Sequence, residues 1–142
     1  ICHESGVSAY LTTNVIVFQK ELSDVRELLV KARDAGVDAV IVSDLGVLSI
    51  ARELGLEVHV STQASASNSE SVNEYASMGA SRVILARELS LKQVKAVASE
   101  SIIPVEVFIH GSMCVSISCR CFFSQFMYGA NANRGDCYQP CR

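Results

Sequence analysis

Two hydrophobic periods alternate along this chain. Residues 7–14, VSAYLTTN, are rich in β-branched and aromatic side chains and end in polar Thr12, Thr13 and Asn14, which reads as a strand. The period then changes: Val25, Leu28, Leu29 and Ala32 fall at i, i+3, i+4 and i+7, predicting a helix over residues 22–35 that stops at Gly36. The next run, DAVIVSD at residues 38–44, is apolar on both faces at its centre, as expected for a strand covered on both sides in a parallel sheet. The cycle then repeats with short connections. A helix over 45–54 stops at Gly55, a strand covers 57–63, a helix over 69–78 stops at Gly79, and a strand covers 81–88. Ser90 and Gln93 form a capping box for a helix over 91–100, Pro104 blocks its continuation, and a fifth strand spans 105–110. Ahead of all this, ICHESG reads as the tail of a helix stopped by Gly6.

A helix between each pair of strands is the pattern of βαβ units in a parallel sheet. No strand is followed by a glycine-rich phosphate turn. The fold class is therefore α/β, either a doubly wound sheet or a segment of a β/α (TIM-like) barrel. The strand ends favour the barrel, because Asn14, Ser43 with Asp44, Thr62 with Gln63, Arg87 with Glu88, and His110 all fall at C-terminal ends, where barrels carry their sites. Five strands are too few to close an eight-stranded barrel, so this reading places further strands before residue 1 and makes the chain a segment of a longer protein. His110, Glu88, Arg87, Asp44 and Gln63 are the catalytic candidates. Each has a plainer reading: Asp44 as a helix cap, Arg87 and Glu88 as a solvated pair, Gln63 as the partner of a loop carbonyl.

Beyond residue 111 the alternation fails. Glycine, serine and asparagine punctuate residues 112–142, with one short aromatic helix expected over 122–128. Five of the chain's six cysteines lie here, which divides the chain into a partial barrel over 1–111 and a cysteine-rich, metal-binding lobe over 112–142. Cys114, Cys121, Cys137 and Cys141 are separated by six, fifteen and three residues. A segment with so little regular apolar pattern gains from a cross-link, and four thiolates suit zinc or an iron–sulfur cluster. The close pair Cys137 and Cys141 leans toward zinc; disulfides, or a nucleophilic Cys114 assisted by His110, are the competing readings. Cys2 stands apart as an incidental thiol.

Charge and composition add limits. The net charge is −3, so no broad basic surface is available for nucleic acid, and an RNA partner would need local basic groups or regions outside this segment. No apolar run reaches the roughly 20 residues of a membrane span. Clustered rather than dispersed cysteines point to a reduced, cytoplasmic setting. Nothing in the pattern fixes an oligomeric state.

The run from Glu106 through Phe108, His110, Gly111, Ser112 and Met113 to Cys114, followed by Cys121 and Ser124, resembles the signature of the collagenase-like peptidases of family U-32. The resemblance extends upstream through VIVSDLGVL, HVSTQASASNSESV and RVILARELSL, and downstream through ANRGDCYQPCR. It departs twice: Cys119 stands where the signature has glycine, and Phe123 where it has an aliphatic residue. The resemblance implies a barrel-like domain and a chain continuing past Arg142. Despite the family's name, it further implies an oxygen-independent hydroxylation protein with a 4Fe-4S cluster on Cys114, Cys121, Cys137 and Cys141, Cys141 being the least secure ligand. Among branches acting on tRNA, on 23S rRNA and in ubiquinone synthesis, RELSL and the cysteine spacing look most like the one that forms 5-hydroxyuridine in tRNA with prephenate as donor. A collagenase-like peptidase and a non-catalytic, metal-ordered scaffold are the alternatives.

Overall fold

The computed structural model describes residues Ile1–Arg142 throughout. Five parallel strands, β1 (Tyr10–Thr13), β2 (Ala39–Val42), β3 (Glu57–Val60), β4 (Arg82–Ile84) and β5 (Val105–Glu106), form one sheet. Between them run α1 (Leu22–Asp34), α2 (Leu45–Glu53), α3 (Ser69–Ser77) and α4 (Leu91–Glu100); a short α5 (Phe123–Tyr128) follows. The spatial order is β1-β2-β3-β4-β5, each strand beside its predecessor in the chain. A doubly wound sheet reverses direction at a switch point, and there is no reversal here. No helix is long and apolar enough to cross a membrane.

Side-chain alternation explains the core. Val40 and Val42, Val58 and Val60, and Val83 and Leu85 take alternate positions on neighbouring strands, and all are buried in one cluster with Leu29, Val47, Val72 and Val97 from the four helices. The intervening positions carry a mixed set on the other face, in which Glu57, His59 and Arg82 stand among Ala39, Ile41 and Ile84. His59 is only 1% exposed; its Nε2 lies 3.0 Å from Glu57 Oε1, and its ring meets Tyr10 edge-on with centroids 4.9 Å apart.

The helices start and stop where local chemistry dictates. Asp44 caps α2 by accepting from the amides of Gly46 and Val47, and the Ser90–Gln93 capping box is formed at α4. The strands are shorter than their hydrophobic runs, and the polar residues at their C-terminal ends bond laterally to one another. Asn14 Nδ2 donates to Ser61 Oγ at 2.9 Å, and Ser43 Oγ to the Asn14 carbonyl at 2.8 Å. The fifth strand, expected over 105–110, ends at Glu106: it pairs on one side only, and the chain then leaves the sheet. The expected helix tail at the N-terminus is a single 3₁₀ turn, His3–Ser5, closed by Gly6 at φ 68°.

Candidate functional site

Beyond the C-terminal ends of the strands lies a cavity of about 810 Å³. The sheet side supplies Asn14, Thr62, Gln63 and Arg87; the segment after β5 supplies His110, Phe122 and Phe123, and all five of its cysteines. Thr62 Oγ1 donates to the Leu85 carbonyl at 3.0 Å, tying the ends of β3 and β4 together. The Gln63 amide nitrogen of the backbone is bound to Ser61 Oγ, while its side-chain Oε1 is buried without a protein partner. That oxygen is an acceptor held ready at the cavity wall.

Arg87 holds the cysteine segment against the sheet. Its Nη1 donates to the Cys114 carbonyl at 3.0 Å, Nη2 to the Ser116 carbonyl at 2.8 Å, and Nη2 and Nε to Ser118 Oγ at 2.7 and 3.2 Å. The planar fork of a guanidinium reaches all three residues at once, which a lysine ammonium could not. A residue in the loop just beyond β4 thus sets the path of the backbone that carries Cys114.

Three residues of the downstream run order the rest. Asn133, 5% exposed, accepts from the Cys121 amide through Oδ1 at 3.2 Å, and its carbonyl receives the Ile16 amide at the same distance. Ser124, 1% exposed, accepts from the Tyr138 amide at 3.1 Å, bringing the neighbour of Cys137 back to α5. Arg134 makes a bidentate pair with Glu21 at 2.9 and 2.6 Å, donates to the Ile16 carbonyl at 2.8 Å, and lies 4.2 Å from the centre of the Phe18 ring. The Arg134 side chain, first among several causes, holds the Glu21 carboxyl down at about 2.

All six thiols are free; Cys114, Cys137 and Cys141 are exposed, and Cys121 and Cys119 partly buried. Four sulfur donors on the wall of one cavity suit a thiolate-bound centre in their chemistry. No three cysteine, histidine or acidic side chains are grouped closely enough to hold a single ion, so the donor set shares the cavity without closing into a coordination sphere. Cys119 sits at φ 60°, in the left-handed region where glycine is at ease, and burial pushes its thiol up against an opposing pull from Arg120. The signature's glycine therefore has a conformational reason, and this chain keeps the turn with a side chain in it.

Of the candidate residues, the fold brings His110, Gln63 and Arg87 to the cavity with the four spaced cysteines. Asp44 is engaged as the cap of α2, and Glu88 is exposed to solvent; neither lines the cavity. Arg87 and Glu88 form no ion pair, since Arg87 turns to the carbonyls of the cysteine segment. Asn14 lines the cavity too, and Asn133, Ser124 and Arg134 order its lobe through contacts that spacing does not reveal. Their only trace in the sequence is membership of the SQFMYGANANRGDC run.

The sequence profile described as Peptidase family U32 matches residues 1–142. The chain is 46% identical over 145 residues to an uncharacterized protease, MJ0090, of Methanocaldococcus jannaschii, covering 99% of this chain and 35% of that protein. It is 35% identical to a collagenase of Porphyromonas gingivalis, covering 100% and 37%, and 37% identical to tRNA hydroxylation protein P1 of Bacillus subtilis, covering 96% and 33%. The chain thus spans about a third of the length of the curated relatives it matches. Among solved structures, that of the U32 peptidase Mk0906 superimposes with a TM-score of 0.71 at 20% identity, over 99% of this chain and 64% of that one, a likeness of fold.

Proposed function

Given that this chain belongs to peptidase family U32, we propose that it is the cysteine-bearing part of an enzyme for oxygen-independent hydroxylation of RNA, with 5-hydroxyuridine formation in tRNA as the reaction and prephenate as the small-molecule donor. The observation that carries this reading is the placement of Cys114, Cys121, Cys137 and Cys141 on the wall of one cavity at the strand ends. The 37% identity to a protein named for tRNA hydroxylation supports it.

In this reading the four cysteines hold a 4Fe-4S cluster, which when bound supplies electron transfer at the cavity wall. The chain's own groups do the rest: Arg87 fixes the Cys114 backbone, Asn133 fixes that of Cys121, and Gln63 Oε1 offers an acceptor to a donor on the substrate. The consecutive strand order supports a segment of a β/α barrel over residues 1–111 with the cysteine lobe, 112–142, across its C-terminal mouth. Six unpaired thiols go with a reducing, cytoplasmic setting.

The test is anaerobic purification of the full-length protein with iron and sulfide analysis, joined to nucleoside analysis of RNA from cells lacking the gene. Iron and sulfide together, with loss of one hydroxylated pyrimidine nucleoside, are expected; zinc alone, with the nucleosides unchanged, would overturn the proposal.

A peptidase is the second reading, favoured by the names of the archaeal protease and the collagenase. The chemistry at the cavity gives it less support. The two histidines bonded to carboxylates, His3 to Asp38 and His59 to Glu57, lie away from the cavity, so no nucleophile–base–acid set runs through it. Gelatin cleavage by purified full-length protein, abolished by His110→Ala, would reverse the order of the two readings.

A further inference from the structure

The chain segregates both its charge and its aromatic residues. Residues 107–142 contain three arginines and a single aspartate, whereas the first 106 contain nine basic and fourteen acidic residues. Six of the nine phenylalanines and tyrosines also lie after residue 106, and every one of the six is exposed. The short α5 buries only Ser124; Phe126 is 86% exposed and Phe122 65%, and Tyr128 packs edge-on against Tyr138 with centroids 5.6 Å apart. Phe122 is the N-cap of α5, and its carbonyl accepts the Phe126 amide at 2.9 Å, one turn further on. Phe122, Phe123 and Arg120 also form part of the cavity wall, so the aromatic face is continuous with the thiol site.

We propose that this face is a stacking surface for single-stranded RNA, delivering an unpaired base to the cavity. The inference rests on the RNA-hydroxylation reading and names the side of the site from which the substrate enters. Chemical complementarity selects the occupant. Phenyl rings offer flat surfaces to bases of any sequence, exposed Arg120 and Arg142 offer charge to phosphates, and this is the one part of an otherwise acidic chain with a positive balance. Arg134 is not counted, since it is committed to Glu21. A base in a loop or at an end can unstack from its neighbours and reach the rings, as a base within a duplex cannot.

Full-length protein, titrated against a fluorescently labelled RNA stem-loop with a uridine-containing loop, tests the surface by anisotropy. Phe126→Ala is expected to weaken binding about 10-fold, within the range for loss of one base–aromatic stack. Phe126→Trp should retain it. Phe126→Leu keeps an apolar contact but no aromatic face, so it should bind like the alanine variant. Arg120→Ala should lower the slope of log K against log salt by about 0.7. Wild-type affinity in Phe126→Leu, with loss in Phe126→Ala, would mean the face docks against protein and would overturn the proposal. RNA binding that depends on Phe126, without any hydroxylated nucleoside in cellular RNA, would instead sink the functional reading and leave the surface standing.

Discussion

Arg87 and Ser118 are 31 residues apart in sequence and joined by two hydrogen bonds, Nη2 to Oγ at 2.7 Å and Nε to Oγ at 3.2 Å. With the bonds to the Cys114 and Ser116 carbonyls, this makes one guanidinium the main tie between the sheet and the first cysteine of the set. The role is that of a positioning residue.

Removing that tie should loosen the segment without unfolding the sheet. Hydrogen bonds to a charged group contribute roughly 1.5–3 kcal/mol each, and the solvent that replaces Arg87 offsets most of four such bonds. Arg87→Ala is expected to cost the local ordering about 2 kcal/mol, an approximately 30-fold rise in amide exchange over residues 114–118. Hydrogen exchange by mass spectrometry on the full-length protein reads this. Arg87→Lys, lacking the fork, should recover little. Unchanged exchange in both variants would remove the positioning role.

The strained turn at Cys119 makes a prediction of the opposite sign. A non-glycine residue in the left-handed region carries a penalty of about 1 kcal/mol or somewhat more. Cys119→Gly should therefore raise stability by up to about 1 kcal/mol, part of the gain being offset by the extra freedom glycine has when unfolded. Cys119→Val should lower it by at least as much, because a β-branched residue suits that region least. Urea midpoints of the three proteins settle the order; a midpoint lowered by glycine would show that the thiol's packing outweighs the backbone strain.

The cysteines themselves should divide four to one. Cys114→Ser, Cys121→Ser, Cys137→Ser and Cys141→Ser are each expected to reduce iron and sulfide in anaerobically purified full-length protein, whereas Cys119→Ser is expected to leave both unchanged. Loss of iron in Cys119→Ser with retention in Cys141→Ser would exchange their roles.

Acid should release the latch between the lobe and the segment after β1. Glu21 is held at about 2 against an ordinary 4.5, chiefly by hydrogen bonding to Arg134. A depressed folded-state value stabilises the folded form above the unfolded value, and the contribution fades as pH falls from about 4.5 toward 2. Glu21→Gln should thus be less stable than the parent at pH 7, with the gap closing over that window. Urea midpoints measured from pH 7 to pH 2 test it; a gap independent of pH would assign the effect to packing on Phe18 instead.

Much of the scaffold was legible because it is written in short-range terms. Leu29 and Ala32 on one helical stripe, Gly36, Gly55 and Gly79 as stops, and the Ser90–Gln93 box depend on neighbours within a few residues, and each predicted helix formed within two residues of its expected ends. The fifth strand was over-extended because Phe108 and Ile109 look like strand residues, whereas the ladder with β4 ends at the Ile84–Glu106 pair.

By itself, the sequence determined the alternation of strands and helices, the parallel sheet, the location of the cysteines and the family resemblance, since all of these rest on periodicity and on residue types at fixed spacings. Only the tertiary structure decided the strand order that removes a doubly wound sheet, the position of Asp44 outside the cavity, and the roles of Arg87, Asn133 and Arg134. The contacts of Arg87 and Arg134 are long-range relations, made when residues 27 to 118 positions apart come within hydrogen-bond distance. No local period encodes such a meeting. For Cys119 the two sources join: the sequence marked it as a cysteine in a glycine's place, and its φ of 60° gives the physical reason.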